Sequence, residues 1–444
     1  MTTVSLINLG CPKNLVDSEI MLGLLKKSGI KISTIPESAD ILCINTCAFI
    51  KEAKEESIDS IFQMVDLKKQ NPRKKIIVIG CIVQRYAEAL KKEIPEVDRW
   101  VGINKISILP EIIASLKHKK TKRDITNTAT QKSIYDTNPP RKILTPKHYA
   151  YIKIAEGCSN RCSYCVIPDI RGNYKSRNPD SILREAAELA KKGVKEINII
   201  AQDTTNYGSD LSSSINITLL LREICKIKDI KWIRLLYTHP AHITDSLIKE
   251  IASQNKICKY IDMPLQHIDD DLLLKMGRKT KSKHIKSLIK KIRKEIPGVI
   301  LRTSFIVGFP GETEKQFQTL LKFIKKIKFD KLGIFKYSRE EGTPAYKMKA
   351  QIPPSIKEKR YNEAMQLQKS ISKNINKKFL GRKTEVLIEK IHDKKSNIWI
   401  GRTYADAPDV DGITYISGNN IKKGDIIMAK ITGTLEYDLV GEKV

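Results

Sequence analysis

The sequence predicts an α/β chain of three domains: a parallel-sheet N-terminal domain, a central partial (βα)6 TIM-like barrel, and a small C-terminal antiparallel β-barrel of the OB-like kind. Three observations carry this. β-rich runs alternate with helical patterns as far as residue 116, six further strand-and-helix repeats fill the middle, and after Gly381 short strands alternate with tight polar turns. The expected boundaries are 1–117, a linker at 118–143, 144–376, and 377–444. At about 150 residues per domain, three domains suit a chain of 444 residues.

In the N-terminal domain the strands are Thr3–Leu9, Ile41–Thr46, Ile76–Gly80 and Val97–Val101. Each precedes a helical pattern: Val16–Ser28 closed by Gly29, Lys51–Gln70, Gln84–Glu93 and Asn104–Leu116. Periodicity fails from Lys117 to Lys142, where lysines, polar residues and Pro139-Pro140 mark the linker. The barrel strands are Tyr149–Ala155, Glu196–Ala201, Trp232–Tyr237, Tyr260–Met263, Ile300–Val307 and Lys331–Tyr337. Helical spacing occupies Pro179–Lys192, Thr218–Ile227, Asp245–Ser253, Lys283–Glu295, Thr313–Lys326 and Ser355–Phe379. The last domain reads as strands Thr384–Ile388, Ile398–Thr403, Ile413–Ile416 and Ile426–Thr432.

Lys+Arg 80 against Asp+Glu 50 gives a formal net charge of +30. A field of that sign attracts polyanions, although lysine with abundant isoleucine and asparagine also follows from an AT-rich genome. No segment approaches the roughly 20 apolar residues of a membrane span. Met1–Leu9 has neither a basic n-region nor a small-residue cleavage site, so no signal peptide is expected and the cytoplasm is the default location.

The nine cysteines carry more information. Their odd number, without a secretion signal, argues for reduced thiols. Cys158, Cys162 and Cys165 form C-x-x-x-C-x-x-C directly after the first barrel strand, on the face where barrel active sites lie. Three thiolates on one loop can hold three corners of a four-iron cluster and leave one iron open. The alternative is a structural zinc loop, but no second ligand pair stands nearby, and His148 precedes the strand. Cys11, Cys47 and Cys81 each follow a strand of the N-terminal domain, where ligands of open α/β sheets gather. Separate burial as small apolar residues is the alternative. Cys43, Cys225 and Cys258 read as core residues.

The segment Glu156-Gly-Cys-Ser-Asn-Arg-Cys-Ser-Tyr-Cys165 resembles the signature of the radical S-adenosylmethionine (SAM) superfamily, Tyr164 included. With Cys11, Cys47 and Cys81 and the terminal small barrel, which corresponds to a TRAM domain, the chain resembles the methylthiotransferase family end to end. Leu9-Gly-Cys-Pro-Lys-Asn-Leu-Val-Asp-Ser-Glu19, Ala201-Gln-Asp-Thr-Thr-Asn-Tyr-Gly208, Pro264-Leu-Gln-His267 and the run Gly401–Gly412 resemble its ribosomal, RimO-type branch.

The resemblance implies methylthiolation of the β-carbon of an aspartate in small-subunit ribosomal protein S-twelve, free or within the ribosomal subunit. It also implies two [4Fe-4S] clusters, with S-adenosyl-L-methionine as both methyl donor and radical source. Cys158, Cys162 and Cys165 would hold the radical-generating cluster; Cys11, Cys47 and Cys81 would hold the auxiliary cluster that carries the inserted sulfur. The open corners are expected to face one another across a domain interface whose spacing the linker sets. An electron-donor protein and contact with rRNA are the further partners expected, and a membrane is not.

Gln202 and Asp203 follow the second barrel strand and are candidates to meet SAM; a plain turn or helix cap is the alternative for Asp203. His239 and His267 follow strands too and are candidates to line the barrel mouth, with a structural histidine the preferred reading of each. Asp406, Asp409 and Asp411 form an acidic patch, read either as a docking surface for a basic ribosomal protein or as a solvated turn. Competing readings are the same chemistry on tRNA, favoured by the charge, and a non-enzymatic iron–sulfur redox sensor.

Overall fold

A computed structural model describes residues 2–116 and 138–444; the expected linker at 118–143 lies largely outside the described residues. These form two compact units, one of Met1–Thr145, Tyr151–Ser159 and Cys165–Glu185, the other of Pro146–Ala150, Asn160–Tyr164 and Ala186–Val444.

The first unit is built on a five-stranded parallel sheet of β1 (Thr3–Asn8), β2 (Lys31–Ser33), β3 (Ile41–Thr46), β4 (Lys75–Gly80) and β5 (Arg99–Val101). Its order is β2-β1-β3-β4-β5, so β1, β3 and β4 are neighbours. Their side chains alternate between two apolar cores. Leu42, Ile44, Ile76 and Val78 face one way with Ile61, Met64 and Trp100; Cys43, Ile77 and Ile79 face the other with Met21, Leu25 and Ile112. Burial on both faces explains why these strands read as unbroken apolar runs. The register pairs Asn8 with Asn45 and Thr46 with Gly80, so the carboxyl ends of β1, β3 and β4 stop at one level.

Helices leave two of these ends at once: Pro12–Lys27 begins beside Cys11 with proline in its first turn, and Cys81–Glu93 begins at Cys81 itself. A ribbon of β7 (Ala155–Glu156) and β8 (Lys175–Ser176), with the short helix Ile167–Arg171, packs into the same unit through Val166 and Ile170.

The second sheet has six strands in the order β13-β12-β11-β10-β9-β6: β6 (Tyr149–Lys153), β9 (Glu196–Ile200), β10 (Trp232–Leu235), β11 (Ile257–Asp262), β12 (Ile300–Val307) and β13 (Lys331–Lys336). Strands β9 to β13 pair in parallel with a helix in each crossover, the partial (βα)6 barrel expected. Side-chain caps fix several helix starts: Asn216, Thr244 and Asp269 each accept from the backbone N–H three residues on, and Thr313 with Gln316 forms a full capping box. The last strands, β14 (Lys383–Asp393), β15 (Ile398–Thr403), β16 (Thr414–Ser417), β17 (Ile426–Thr434) and β18 (Leu439–Lys443), close a barrel around Val386, Ile388, Ile416 and Ala429. The sequence reading lacked β2, β8, β18 and the short helices Ile167–Arg171 and Asp270–Lys275.

The small barrel is joined to the large one by buried charge. Glu196, which opens β9 and is fully buried, accepts from Arg234 Nε at 2.9 Å and from Arg402 Nη2 of the small barrel at 2.7 Å. Arg402 also donates to Glu389 and the Asp406 carbonyl, and Arg234 reaches the Tyr404 carbonyl at 2.7 Å.

The acidic run belongs to this joint, which corrects its reading as a docking surface. Asp406 accepts from Lys331 Nζ at 2.6 Å and from Thr403 Oγ1 at 2.8 Å. Asp411 accepts from Tyr260 Oη at 2.6 Å and lies 3.5 Å from Arg302 Nε; Tyr149 Oη reaches Asp409 at 3.3 Å. Asp406 and Asp411 are spent on partners inside the unit, and only Asp409 is exposed. Since Glu196 and Lys331 open their strands and Arg302 lies near the start of β12, the joint is at the end of the large barrel opposite the loops that follow its strands.

Removing Glu196 would leave buried Arg234 without a carboxylate and Arg402 with Glu389 alone, so Glu196→Ala should cost about 3–5 kcal/mol in unfolding experiments; a loss below about 1 kcal/mol would contradict the role given to it. Burial pushes its carboxyl up, but Arg402 and Arg234 outweigh this and hold it below the usual range. Its contribution is therefore complete above the ordinary glutamate value of about 4.3 and fades as pH falls below it. The acid sensitivity of the melting temperature should be smaller in Glu196→Ala than in the native chain.

Candidate functional site

The cysteine triplet of the first unit is assembled by the sheet. Cys11, Cys47 and Cys81 follow the level ends of three adjacent strands, which lie about 4.8 Å apart in a sheet. Cys47 and Cys81 are buried and Cys11 is half-buried. The turns press together: a Cβ at Gly10 would lie 2.8 Å from Cys47 Cβ and 3.1 Å from its Sγ, at φ +87°, so glycine alone suits that position.

Asn14 ties the turns to one another. Its Nδ2 donates to the carbonyls of Leu9 (3.1 Å) and Thr46 (3.0 Å), just before Cys11 and Cys47, and its Oδ1 lies 3.7 Å from Cys81 Sγ. Burial pushes the Cys47 thiol up and Cys81 up to about 12, while Arg171 opposes both shifts. Thiols of that kind become thiolates when metal replaces the proton. Two of the three also stand at helix N-termini, which favour negative sulfur. Three convergent thiol donors with positive charge beside them fit a cluster held at three corners.

The second triplet lies on the loop between β7 and the helix Ile167–Arg171. In the first unit, Cys158 N–H donates to Gly172 O at 3.1 Å, and a Cβ at Gly157 would lie 2.2 Å from Asn173 O. In the second unit, Ser163 donates from its backbone to Met276 O and from its hydroxyl to Lys275 O, pinning the turn that carries Cys162. Arg278 Nη1 stands 3.8 Å from Cys162 Sγ, and its Nη2 donates to Pro264 O. Tyr164 packs on the cluster of Leu272, Met276, Phe309 and Tyr337.

Polar groups gather after the barrel strands of the second unit. Asp203, buried, accepts at Oδ2 from Asn160 of the cysteine loop (2.8 Å) and from His242 Nδ1 (2.7 Å), and at Oδ1 from Thr205 (2.8 Å). Burial works against its charge, but His242, with help from Asn160, outweighs it and holds the carboxyl low. It does not cap the following turn, since its side chain makes no capping bond; it anchors the cysteine loop instead. Gln202, half-buried, lies beside it in the same turn.

His239 accepts from Ala241 N–H at Nδ1, and burial and then Arg278 push it down to about 3, so its ring is neutral. Donor atoms of Asp203, His239 and His242 lie within 4.8 Å of one another, spacing that suits a cation, but Arg278 and Lys279 act against one there. His267 is structural: Nδ1 accepts from Asp269 N–H and Nε2 meets buried Glu312 at 3.2 Å. Cys43 and Cys258 are buried as expected, whereas Cys225 is half-buried.

The sequence reading missed Asn14, Asn160, Arg171, His242 and Arg278. Asn14 and Asn160 stood within the quoted cysteine segments; the other three carried no spacing signal.

Comparison with known proteins agrees with this arrangement. Uncharacterized protein family UPF0004 matches residues 3–102, the Radical SAM superfamily 152–324 and the TRAM domain 380–444. The ribosomal protein uS12 methylthiotransferase RimO of Desulforamulus reducens is 47% identical over 443 residues, covering 100% of this chain and 99% of that protein. Its namesake in a Thermoanaerobacter species is 48% identical over 443 residues, covering all of both. The chain belongs to the RimO methylthiotransferase family. Among solved structures, the radical S-adenosylmethionine methyltransferase TsrM from Kitasatospora setae shares the fold, with a TM-score of 0.57 at 15% identity over 84% of this chain and 89% of that one.

Asp203→Ala would leave Asn160 and His242 without their acceptor. We expect SAM affinity, measured by anaerobic titration, to fall tenfold or more.

Proposed function

We propose that this chain is a radical-SAM methylthiotransferase acting on the β-carbon of an aspartate in ribosomal protein uS12. The observation that carries the reading is the convergence of Cys11, Cys47 and Cys81 on adjacent strand ends of a chain that also holds C-x-x-x-C-x-x-C at a barrel's catalytic end. Similarity to RimO proteins over the full chain supports the substrate. The proposed division into 1–117, 144–376 and 377–444 around a linker at 118–143 contains the three family matches.

When bound, two iron–sulfur clusters and SAM supply the methyl group and the hydrogen-abstracting power that side chains lack, since an aliphatic C–H is beyond ordinary base catalysis. The protein supplies ligands and orientation. Cys11, Cys47 and Cys81 hold one cluster, and Cys158, Cys162 and Cys165 the other. Asp203 fixes the cysteine loop through Asn160, and Gln202 stands beside it where SAM's polar groups would lie. Arg278 brings positive charge to Cys162. His239 stays neutral and does not add charge at the barrel mouth.

Among the described residues no helix is long and apolar enough to cross a membrane. We place the reaction in the cytoplasm, with an electron-donor protein and rRNA contact as further partners. The charge of +30 favours a tRNA substrate, but the relatives matched over the whole chain are named for uS12.

Single Cys→Ala changes test the assignment. Each of the six should abolish methylthiolation and lower iron from about eight to about four atoms per chain. Full activity in any one would refute it.

A further inference from the structure

Five side chains around the first cysteine triplet, Glu156 among them only partly buried, form a network that the reaction as described leaves unused. Arg171 donates from Nη1 to both Glu156 oxygens (3.0 and 3.1 Å) and from Nη2 to Asn14 Oδ1 (2.5 Å) and Asp17 Oδ2 (3.1 Å); Nη2 also stands 3.8 Å from Cys81 Sγ. Lys153 Nζ closes the circuit, donating to Asp17 Oδ1 and Glu156 Oε2, each at 2.6 Å. The Arg171, Lys153 and Asp17 side chains are 2%, 1% and 4% exposed. All five residues belong to the first unit.

We infer that Arg171 is a positioning residue that sets the electrostatics of the Cys11–Cys47–Cys81 site and raises the reduction potential of the cluster held there. Two cations against two carboxylates leave the network itself neutral, so it can be buried without a net charge. An apolar brace would hold the turns as well, and lysine would supply only a point charge. The guanidinium's planar fork instead donates to two carboxylates and the Asn14 amide oxygen and keeps its charge 3.8 Å from one sulfur.

A fixed N–H donor and positive charge beside a cysteine ligand stabilise the more negative, reduced form of a cluster. In a buried site they do so more strongly than in water. Asp17 pulls the other way, since its carboxylate shares Nη2 with the sulfur. Hydrogen bonds to cluster sulfurs and local charge are established levers on iron–sulfur potentials. The network also joins Glu156, ahead of Cys158, to the helix that begins beside Cys11, both within the first unit.

This rests on the proposed function, and the test separates the two. In the full-length chain with Cys158, Cys162 and Cys165 all changed to Ala, iron content should show the remaining cluster; absence of iron there would sink the functional reading itself. In that background, an EPR-monitored redox titration compares Arg171→Gln, Arg171→Lys and Asp17→Asn. Arg171→Gln should shift the midpoint potential negative, Arg171→Lys should restore most of it, and Asp17→Asn should shift it positive. A purely structural brace would lower iron content in these variants without opposite-signed shifts. If Arg171→Gln fails to take up iron, Asp17→Asn decides alone. An unchanged potential there, or in an iron-loaded Arg171→Gln, overturns the inference.

Discussion

The register of three parallel strands is the constraint on which the first cysteine site depends. Because Asn8 pairs with Asn45 and Thr46 with Gly80, residues distant in the chain arrive at one level on one edge of the sheet. Asn14 then converts alignment into a site, since its amide group contacts all three turns. A shift of one residue in any strand would turn its side chains to the opposite face and undo both the cores and the convergence. Packing energy, through the two apolar layers, thus fixes the geometry of the sulfurs.

The second unit separates stability from chemistry along its strands. Where β9, β12 and β13 begin, Glu196, Arg302 and Lys331 are committed to ion pairs with the terminal barrel or with Asp262. Where the strands end, Asp203, His242, Asn160 and Arg278 gather with the loop of Cys162. The division follows the general rule that barrel enzymes place reacting groups on the loops after their strands. It also explains why an acidic run in the last domain carries structural weight: its partners are cations that reach it from strands far earlier in the chain.

Most of the fold was legible because its strands are apolar runs and its helices carry regular apolar spacing. β2 escaped as a three-residue edge strand with little buried surface, and β18 because Gly441 and two charged residues interrupt it. Cys11, Cys47 and Cys81 stood out as a set because strand ends are where ligands of parallel sheets collect, and the register does bring those three ends to one level. The acidic run was misread because sign of charge says nothing of burial: Lys331, Tyr260 and Arg302 appear beside Asp406 and Asp411 only in three dimensions. Arg171 and His242 escaped for the same reason. Their partners, Cys81 and Asp203, lie on other elements, and no local spacing marks the pairs.

The central claim is that both triplets serve one transfer of a methylthio group to a ribosomal protein. It is tested most directly by anaerobic incubation of the reconstituted, full-length chain with reductant, sulfide and methyl-labelled SAM, with small ribosomal subunits and tRNA supplied together. Label on an aspartate of a uS12 peptide, located by mass spectrometry, is the expected result. Label in RNA would contradict the substrate, and no transfer despite intact clusters would contradict the catalytic account.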